Sequence, residues 1–316
     1  MNQSKIPLIC IVGPTASGKT ALSVNIAKLF DAEIVSADSM QIYRGMDIAT
    51  AKPTKEEQQG IVHHMMDFLD NSEQFSVARY CDMAHEIIKD IHSRGKLAVL
   101  VGGTGLYVDS LINNITFSDS EGDEKLRNEL QKECDEYGVE HLLRKLAVFD
   151  KESAEKLEET KNPKRIIRAI EVFMTTGKTI AQYNEESRKN GSPYKAVKIG
   201  LTATDRQFLY DRINKRVDIM VENGLVEEAK ETYSNNLSTT ASVAIGHKEL
   251  IPYLEGEAEL SECIEILKMQ TRRYAKRQLT WFNRDKEIHW LNIDVCNNET
   301  LIEESVDVIK KVLFNE

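Results

Sequence analysis

Gly13-Pro14-Thr15-Ala16-Ser17-Gly18-Lys19-Thr20 matches the pattern G-x-x-x-x-G-K-[ST]. Glycines in such a run let the backbone wrap so closely that successive N–H groups face phosphate oxygens, and the following helix adds its positive end. Lys19 is placed to reach a terminal phosphate, and the Thr20 hydroxyl to ligate Mg2+. Which phosphate ester is held is a separate question. A nucleoside triphosphate hydrolase needs an acid at the end of a neighbouring buried strand to help hold the metal. Here the apolar run Leu97 to Val101 ends in Gly102-Gly103-Thr104-Gly105, with no carboxylate before Asp109. Asp38, just past a second short strand, is the acid best placed near the loop. An ordinary ATPase or GTPase therefore fits poorly. Small-molecule kinases, and transferases that act on a diphosphate leaving group, remain.

A second feature is the distribution of charge. The 316 residues carry 41 Lys and Arg against 51 Asp and Glu, a net of −10, which by itself disfavours nucleic acid. Yet Lys161, Lys164, Arg165 and Arg168 fall together with no acid between them, and residues 270–286 hold six basic residues against Asp285 alone. Tyr274, Trp281 and Phe282 are interleaved with the second group. A basic stripe with aromatics suits an RNA backbone with unstacked bases nearby. The alternative is a solvated helix face whose aromatics pack into the core.

The elements that must position these residues follow from periodicity. Pro7 to Val12 reads as a buried strand before the loop, and Lys19 to Phe30 as the helix after it. A strand at Glu33 to Ala37 precedes Asp38. Val77, Tyr80, Cys81, Ala84, Ile87, Ile88 and Ile91 recur at helical spacing, with a stop at Arg94-Gly95. Strands are also expected at Leu97 to Val101, Lys195 to Leu201 and Ile288 to Ile293. Helices are expected near Asp205 to Val221 and Ser261 to Trp281, and at the C-terminus. Strands alternating with helices predict an α/β fold, a P-loop NTPase-like parallel sheet with helices on both faces, whose ligands bind at the carboxyl ends of the strands. No strand candidate occurs between Ser118 and Ser192. The organisation expected is a first core segment at 1–117, an all-helical insertion at 118–193, and a second core segment at 194–316. The Gly177-Lys178-Thr179 triplet lacks the upstream glycine of a phosphate loop and reads as a helix-end turn. With 41% hydrophobic residues and no apolar run of the ~20 residues a membrane span needs, a globular fold away from membranes is expected. Five scattered cysteines without a C-x-x-C pair, and no secretory leader, point to the cytoplasm.

Several stretches together resemble the tRNA dimethylallyltransferase family of bacterial type. They are GPTASGKT (13–20), SADSMQIYRGMDIATAKP (36–53), VGGTGLY (101–107), RIIRAIEVF (165–173), IGHKE (245–249) and TRRYAKRQLTWF (271–282). The resemblance runs in order from about residue 6 to 290. It implies transfer of a dimethylallyl group from dimethylallyl diphosphate to N6 of the adenosine at tRNA position 37, next to the anticodon. The phosphate loop would then hold a diphosphate rather than a triphosphate, with Mg2+ as cofactor. By the same resemblance Arg216 is a second cation for the leaving group, where a surface salt bridge is the alternative. Asp38 matches the family's catalytic Asp; an amine delocalised into a purine ring loses a proton as it attacks, and a nearby carboxylate is the natural base. A helix cap or a magnesium ligand are the other roles open to Asp38. Thr104 would contact the nucleotide or orient Asp38. RNA contacts are implied from Asp38, Ser39, Met40, Gln41 and Thr104 around the flipped base, from Arg127, Lys164, Arg165 and Arg168 in the insertion, and from Lys248, Lys276, Arg277, Gln278 and Trp281 late in the chain. His63 also matches a family position, its role left open between substrate and structure. Departures are Ala49 where Gly is common, His247 where Tyr is usual, and Asn283 before the expected Arg. A monomer binding the anticodon stem-loop is expected. The competing readings are a small-molecule P-loop kinase and a non-catalytic RNA-binding protein.

Overall fold

The computed structural model describes residues 5–115, 117, 123–233 and 237–315. Six strands, β1 (Ile6–Val12), β2 (Ala32–Ser36), β3 (His63–His64), β4 (Leu97–Gly102), β5 (Tyr194–Thr202) and β6 (Ile288–Asn292), form one sheet in the order β3-β2-β4-β1-β5-β6. Every neighbouring pair is parallel. Five of the strands stand where the apolar runs place them. The sixth, β3, is two residues long and gives no alternation to read. The chain leaves β1 for β2 and returns to β4 beside β1 before crossing to β5. This path gathers Gly13, Asp38 and Thr104 at neighbouring carboxyl ends, where ligands of open α/β sheets bind.

The helices of this part, in chain order, are α1 (Lys19–Leu29), α2 (Lys55–Gln58), α3 (Val77–Ser93) and α4 (Gly105–Ile112). Strand residues alternate between the two sheet faces. Ile9, Ile11, Ile34, Val99, Val197 and Ile199 share one apolar core with Leu22 and Ile26 of α1. Burying each such side chain contributes about 1.5–3 kcal/mol. The intervening Leu8 and Cys10 are equally buried. Tyr80 of α3 stacks on Tyr107 of α4 at 4.1 Å, and its hydroxyl donates to the Ser36 carbonyl at 3.0 Å.

A helical stretch follows, containing α5 (Glu124–Tyr137), α6 (Val139–Ala147), α7 (Lys151–Glu158), α8 (Pro163–Thr176) and α9 (Ile180–Asn190). Side chains of Asp123, Asp150 and Asn162 cap α5, α7 and α8, and Pro163 opens α8 where its missing N–H costs nothing. Gly177 ends α8 in the left-handed region, the turn expected of that triplet. Leu130, Leu142, Leu146, Ile166 and Ile170 form a core of its own, and Phe149 stacks on Phe173 at 4.0 Å. The chain then completes the first part with α10 (Arg206–Glu222), α11 (Leu225–Tyr233), α12 (Ile251–Leu254), α13 (Leu260–Phe282) and α14 (Asn298–Ile309). Leu301 and Ile309 of α14 join the α1 side of the sheet core.

By its internal packing the chain forms two compact units, Met1–Ile112 with Pro193–Glu316, and Asn113–Ser192. The boundary expected at 117/118 falls beside residues 118–122, which lie outside the described residues. All five cysteines are free. No helix among the described residues is long and apolar enough to cross a membrane.

Candidate active site at the carboxyl edge of the sheet

The loop between β1 and α1 is shaped by close approaches. Gly13 has φ +145°, and a Cβ there would lie 2.6 Å from the Leu201 carbonyl oxygen of β5, so no larger residue fits. Ala16 also sits in the left-handed region, and its carbonyl accepts a hydrogen bond from Arg212 Nε at 2.8 Å. Lys19 Nζ donates to the Pro14 carbonyl at 2.7 Å, curling over the loop it serves. Burial, with the Arg216 charge beside it, pulls the Lys19 ammonium down to about 7, and Asp38 opposes that shift. Burial also lowers Arg216, while Glu57 and Asp38 pull the other way. Among the described residues neither cation enters an ion pair. Two desolvated positive charges without a matched carboxylate are the electrostatics of a site built for an anion. Thr20 lies half-buried in the first turn of α1, next to Lys19.

Asp38 follows β2 directly. Its Oδ1 accepts from the Met40 N–H at 2.9 Å and the Gln41 N–H at 3.3 Å, so the carboxylate caps its own turn. Among the described residues no hydrogen bond falls on Oδ2. Thr104 fixes this segment from β4. Its N–H donates to the Ala37 carbonyl at 3.2 Å, and its Oγ1 accepts from the Ser39 N–H at 3.1 Å. The β2 and β4 ends meet so tightly that a Cβ on Gly102 would lie 2.1 Å from the Ala37 oxygen. Gln41, expected among the RNA contacts, has its amide engaged within the protein. It donates to the Thr50 and Ala51 carbonyls at 3.2 and 3.3 Å and accepts from Ser36 Oγ at 3.1 Å.

α13 brings the late basic stretch to this edge. Lys276 and Arg277 are exposed, and so is Lys248 in the turn before α12, beside Glu249 at 3.5 Å. Gln278 is different from the RNA-facing residue anticipated. It is 5% exposed, and its amide is held at both ends by the phosphate loop and the Gly103 turn. Trp281 is half-buried, with its indole N–H donating to Asp109 Oδ2 at 2.6 Å, while Phe282 is core. Tyr274, one turn before Gln278, is half-buried near Asp38 and Thr104. Burial first, then the Asp38 charge, push its hydroxyl well above the usual tyrosine range.

Two more residues shape the site without having been expected. Glu228 accepts from the N–H groups of Asp47, Ile48 and Ala49 at 2.7, 2.7 and 2.9 Å, and His247 Nε2 lies 2.8 Å from the same carboxylate. The departure at His247 is thus a partner for Glu228, which anchors the loop carrying Ser39 to Gln41. Arg212 stands one helical turn from Arg216 on α10, an i, i+4 spacing that could have flagged it. His63 lies in edge strand β3 with Nδ1 2.9 Å from the Ile61 carbonyl, and Asn283 caps the end of α13.

In the helical unit, Arg127 Nε and Arg168 Nη1 each stand 2.8 Å from the carboxylate of Glu171, whose side chain is 1% exposed. Lys164 and Arg165 lie in the first turn of α8, exposed.

A family model described as IPP transferase matches residues 41–285. The tRNA dimethylallyltransferase of Acetivibrio thermocellus is 50% identical over 93% of this chain and 94% of its own length. That of Halalkalibacterium halodurans is 48% identical over 95% of each. Among solved structures, the full-length tRNA isopentenylpyrophosphate transferase of Bacillus halodurans superposes with a TM-score of 0.73 at 45% identity, covering 98% of this chain and 97% of that one. A eukaryotic dimethylallyltransferase acting on tRNA gives a TM-score of 0.84 at 29% identity, covering 98% of this chain and 80% of that one. The chain belongs to the IPP transferase family.

Proposed function

We propose that this enzyme transfers the dimethylallyl group of dimethylallyl diphosphate to N6 of the adenosine at tRNA position 37, releasing diphosphate. The observation that carries the reading is the placement of Asp38, capped on one oxygen, near a phosphate loop whose two cations, Lys19 and Arg216, form no ion pair among the described residues. In the reaction the C1–O bond of the allylic diphosphate breaks and its electron pair leaves with the diphosphate. The N6 lone pair forms the new N–C bond, and the N6 proton passes to Asp38. Oδ1 is occupied by the Met40 and Gln41 amides, which leaves Oδ2 as the atom that takes the proton. Loop amides, Lys19 and Arg216 stabilise the charge that develops on the leaving group. Their desolvation is offset when the anion binds. Thr104 acts through Ser39 by holding the segment on which Asp38 sits.

Among the described residues no cluster of three or more His, Cys, Asp or Glu could hold a metal by itself. A magnesium ion bound chiefly through phosphate oxygens and water asks for only one or two protein oxygens, and Thr20 supplies one. Mg2+ held there would neutralise diphosphate oxygens as a Lewis acid. The helical unit, with Lys164, Arg165, Arg168 and Arg127, is the proposed clasp for the anticodon stem-loop. Lys248, Lys276 and Arg277 are the corresponding cations beside the sheet. The adenine leaves the loop stack to reach Asp38. The chain acts as a cytoplasmic monomer.

The test is incubation with an unmodified anticodon stem-loop and dimethylallyl diphosphate without ATP, followed by nucleoside mass spectrometry. The expected product is adenosine carrying one dimethylallyl unit. ATP consumption with unaltered RNA would replace this reading with that of a kinase.

A further inference from the structure

We propose that Gln278 is a positioning residue that ties the phosphate loop to the turn bearing Thr104, keeping the two halves of the site in one register. The inference rests on the function proposed above. Gln278 Oε1 accepts the Thr15 N–H at 2.9 Å, and Nε2 donates to the Gly103 carbonyl at 3.0 Å. The two partners follow the ends of β1 and β4, strands whose own pairing stops at Val12 and Gly102. Burying an amide is favourable only when both its ends are satisfied, and here both ends find backbone. Gly103 makes room for the bridge, because a Cβ on it would lie 2.0 Å from Gln278 Nε2. Spacing along α13 separates two tasks. Tyr274 and Gln278 lie four apart on the face turned to the site, whereas Lys276 and Arg277 are exposed.

Two consequences follow for the chemistry. The Thr15 N–H, bonded to Gln278, is not one of the amides offered to a phosphate. The loop geometry that the diphosphate meets is therefore set partly by α13, the helix that also carries the exposed cations. Gln278 touches neither substrate; it acts through Thr15 and Gly103.

The experiment uses the full-length enzyme and Gln278→Met, which keeps side-chain length while removing both hydrogen bonds. Loss of two ordinary hydrogen bonds predicts a rise of about tenfold in KM for dimethylallyl diphosphate. Hydrogen exchange in the peptide spanning residues 13–20 should speed up by a similar factor. Affinity for the stem-loop should stay within about twofold, since the buried amide is not a backbone contact. A weakened RNA affinity with unchanged KM and unchanged loop exchange would make Gln278 a direct RNA contact and overturn the proposal. If the variant fails to fold, Gly103→Ala, which displaces the same amide, must give the same KM and exchange changes; wild-type values there overturn it equally. Should the wild-type enzyme transfer nothing to RNA, the proposed function fails. Loop exchange and inorganic pyrophosphate binding would then still decide the role of Gln278.

Discussion

The sheet edge and the helical unit handle positive charge in opposite ways. At the sheet edge Lys19 and Arg216 are desolvated and unmatched, and both are pulled below their usual pKa. In the helical unit Arg127 and Arg168 are half-exposed and already share the buried carboxylate of Glu171. The first arrangement costs folding energy that only an incoming anion repays. The second holds two guanidinium groups in place whether or not a ligand is present, and leaves their outer edges to solvent. A small, highly charged substrate is best met by the first device. A long polyanion that arrives by many weak contacts is best met by the second.

That contrast can be broken at several points. Replacing Asp38 by Asn keeps an oxygen for the Met40 N–H but removes the base. Single-turnover transfer should fall by about a thousandfold, while stem-loop affinity measured by filter binding is unchanged. Lost RNA binding would mean that Asp38 serves the fold. Lys19→Met should cost about a hundredfold in kcat/KM for dimethylallyl diphosphate, with the loss confined to that substrate.

Lys19 also gives a sign to pH dependence. Its pKa of about 7 in the free protein, against a usual 10.5, means that near pH 8 the amine is mostly neutral. Pyrophosphate binding should restore the ammonium, so calorimetry in buffers of different ionisation enthalpy should show proton uptake near pH 8. Well below pH 7 the uptake should vanish. Equal heats in all buffers at pH 8 would remove Lys19 from the anion site.

Arg165→Glu should weaken stem-loop binding by about tenfold at low salt, with the difference shrinking as salt rises. An unchanged affinity would take the helical unit out of the RNA interface.

A third ion pair serves as a control with no expected effect on transfer. Glu33, buried in β2, is held to about 2 by hydrogen bonds from Arg94, with His64 adding to them. Its stabilisation is present above the ordinary carboxylate pKa and disappears as pH falls toward 2. Arg94→Ala should destabilise the fold, because it leaves the buried Glu33 carboxylate short of its main partner, and move the acid-unfolding midpoint upward. Its kcat should remain that of the wild type.

Much of this was legible in the chain. The loop motif needs a strand and a helix around it, and apolar periodicity placed both within one residue of where they stand. Asp38 and Thr104 were readable because each ends a short apolar run. Gln278 and Gln41 were not readable as internal braces. An amide beside basic residues looks the same in sequence whether it faces solvent or backbone. Glu171 could have been noticed, since it stands three residues after Arg168 on one helix face. Glu228 gave no such signal, because its partners at Asp47 to Ala49 lie about 180 residues earlier.

The sequence by itself determined the local pattern: a glycine-rich loop between a strand and a helix, an acid after a strand, and two clusters of cations. These depend on neighbours a few residues apart, and short-range geometry is written in spacing. Only the tertiary structure decided which groups are desolvated, which hydrogen bonds close between distant segments, and which polar side chains remain for a ligand. Those properties depend on what the folded chain brings together and on how much water it excludes, and neither is encoded in any single stretch.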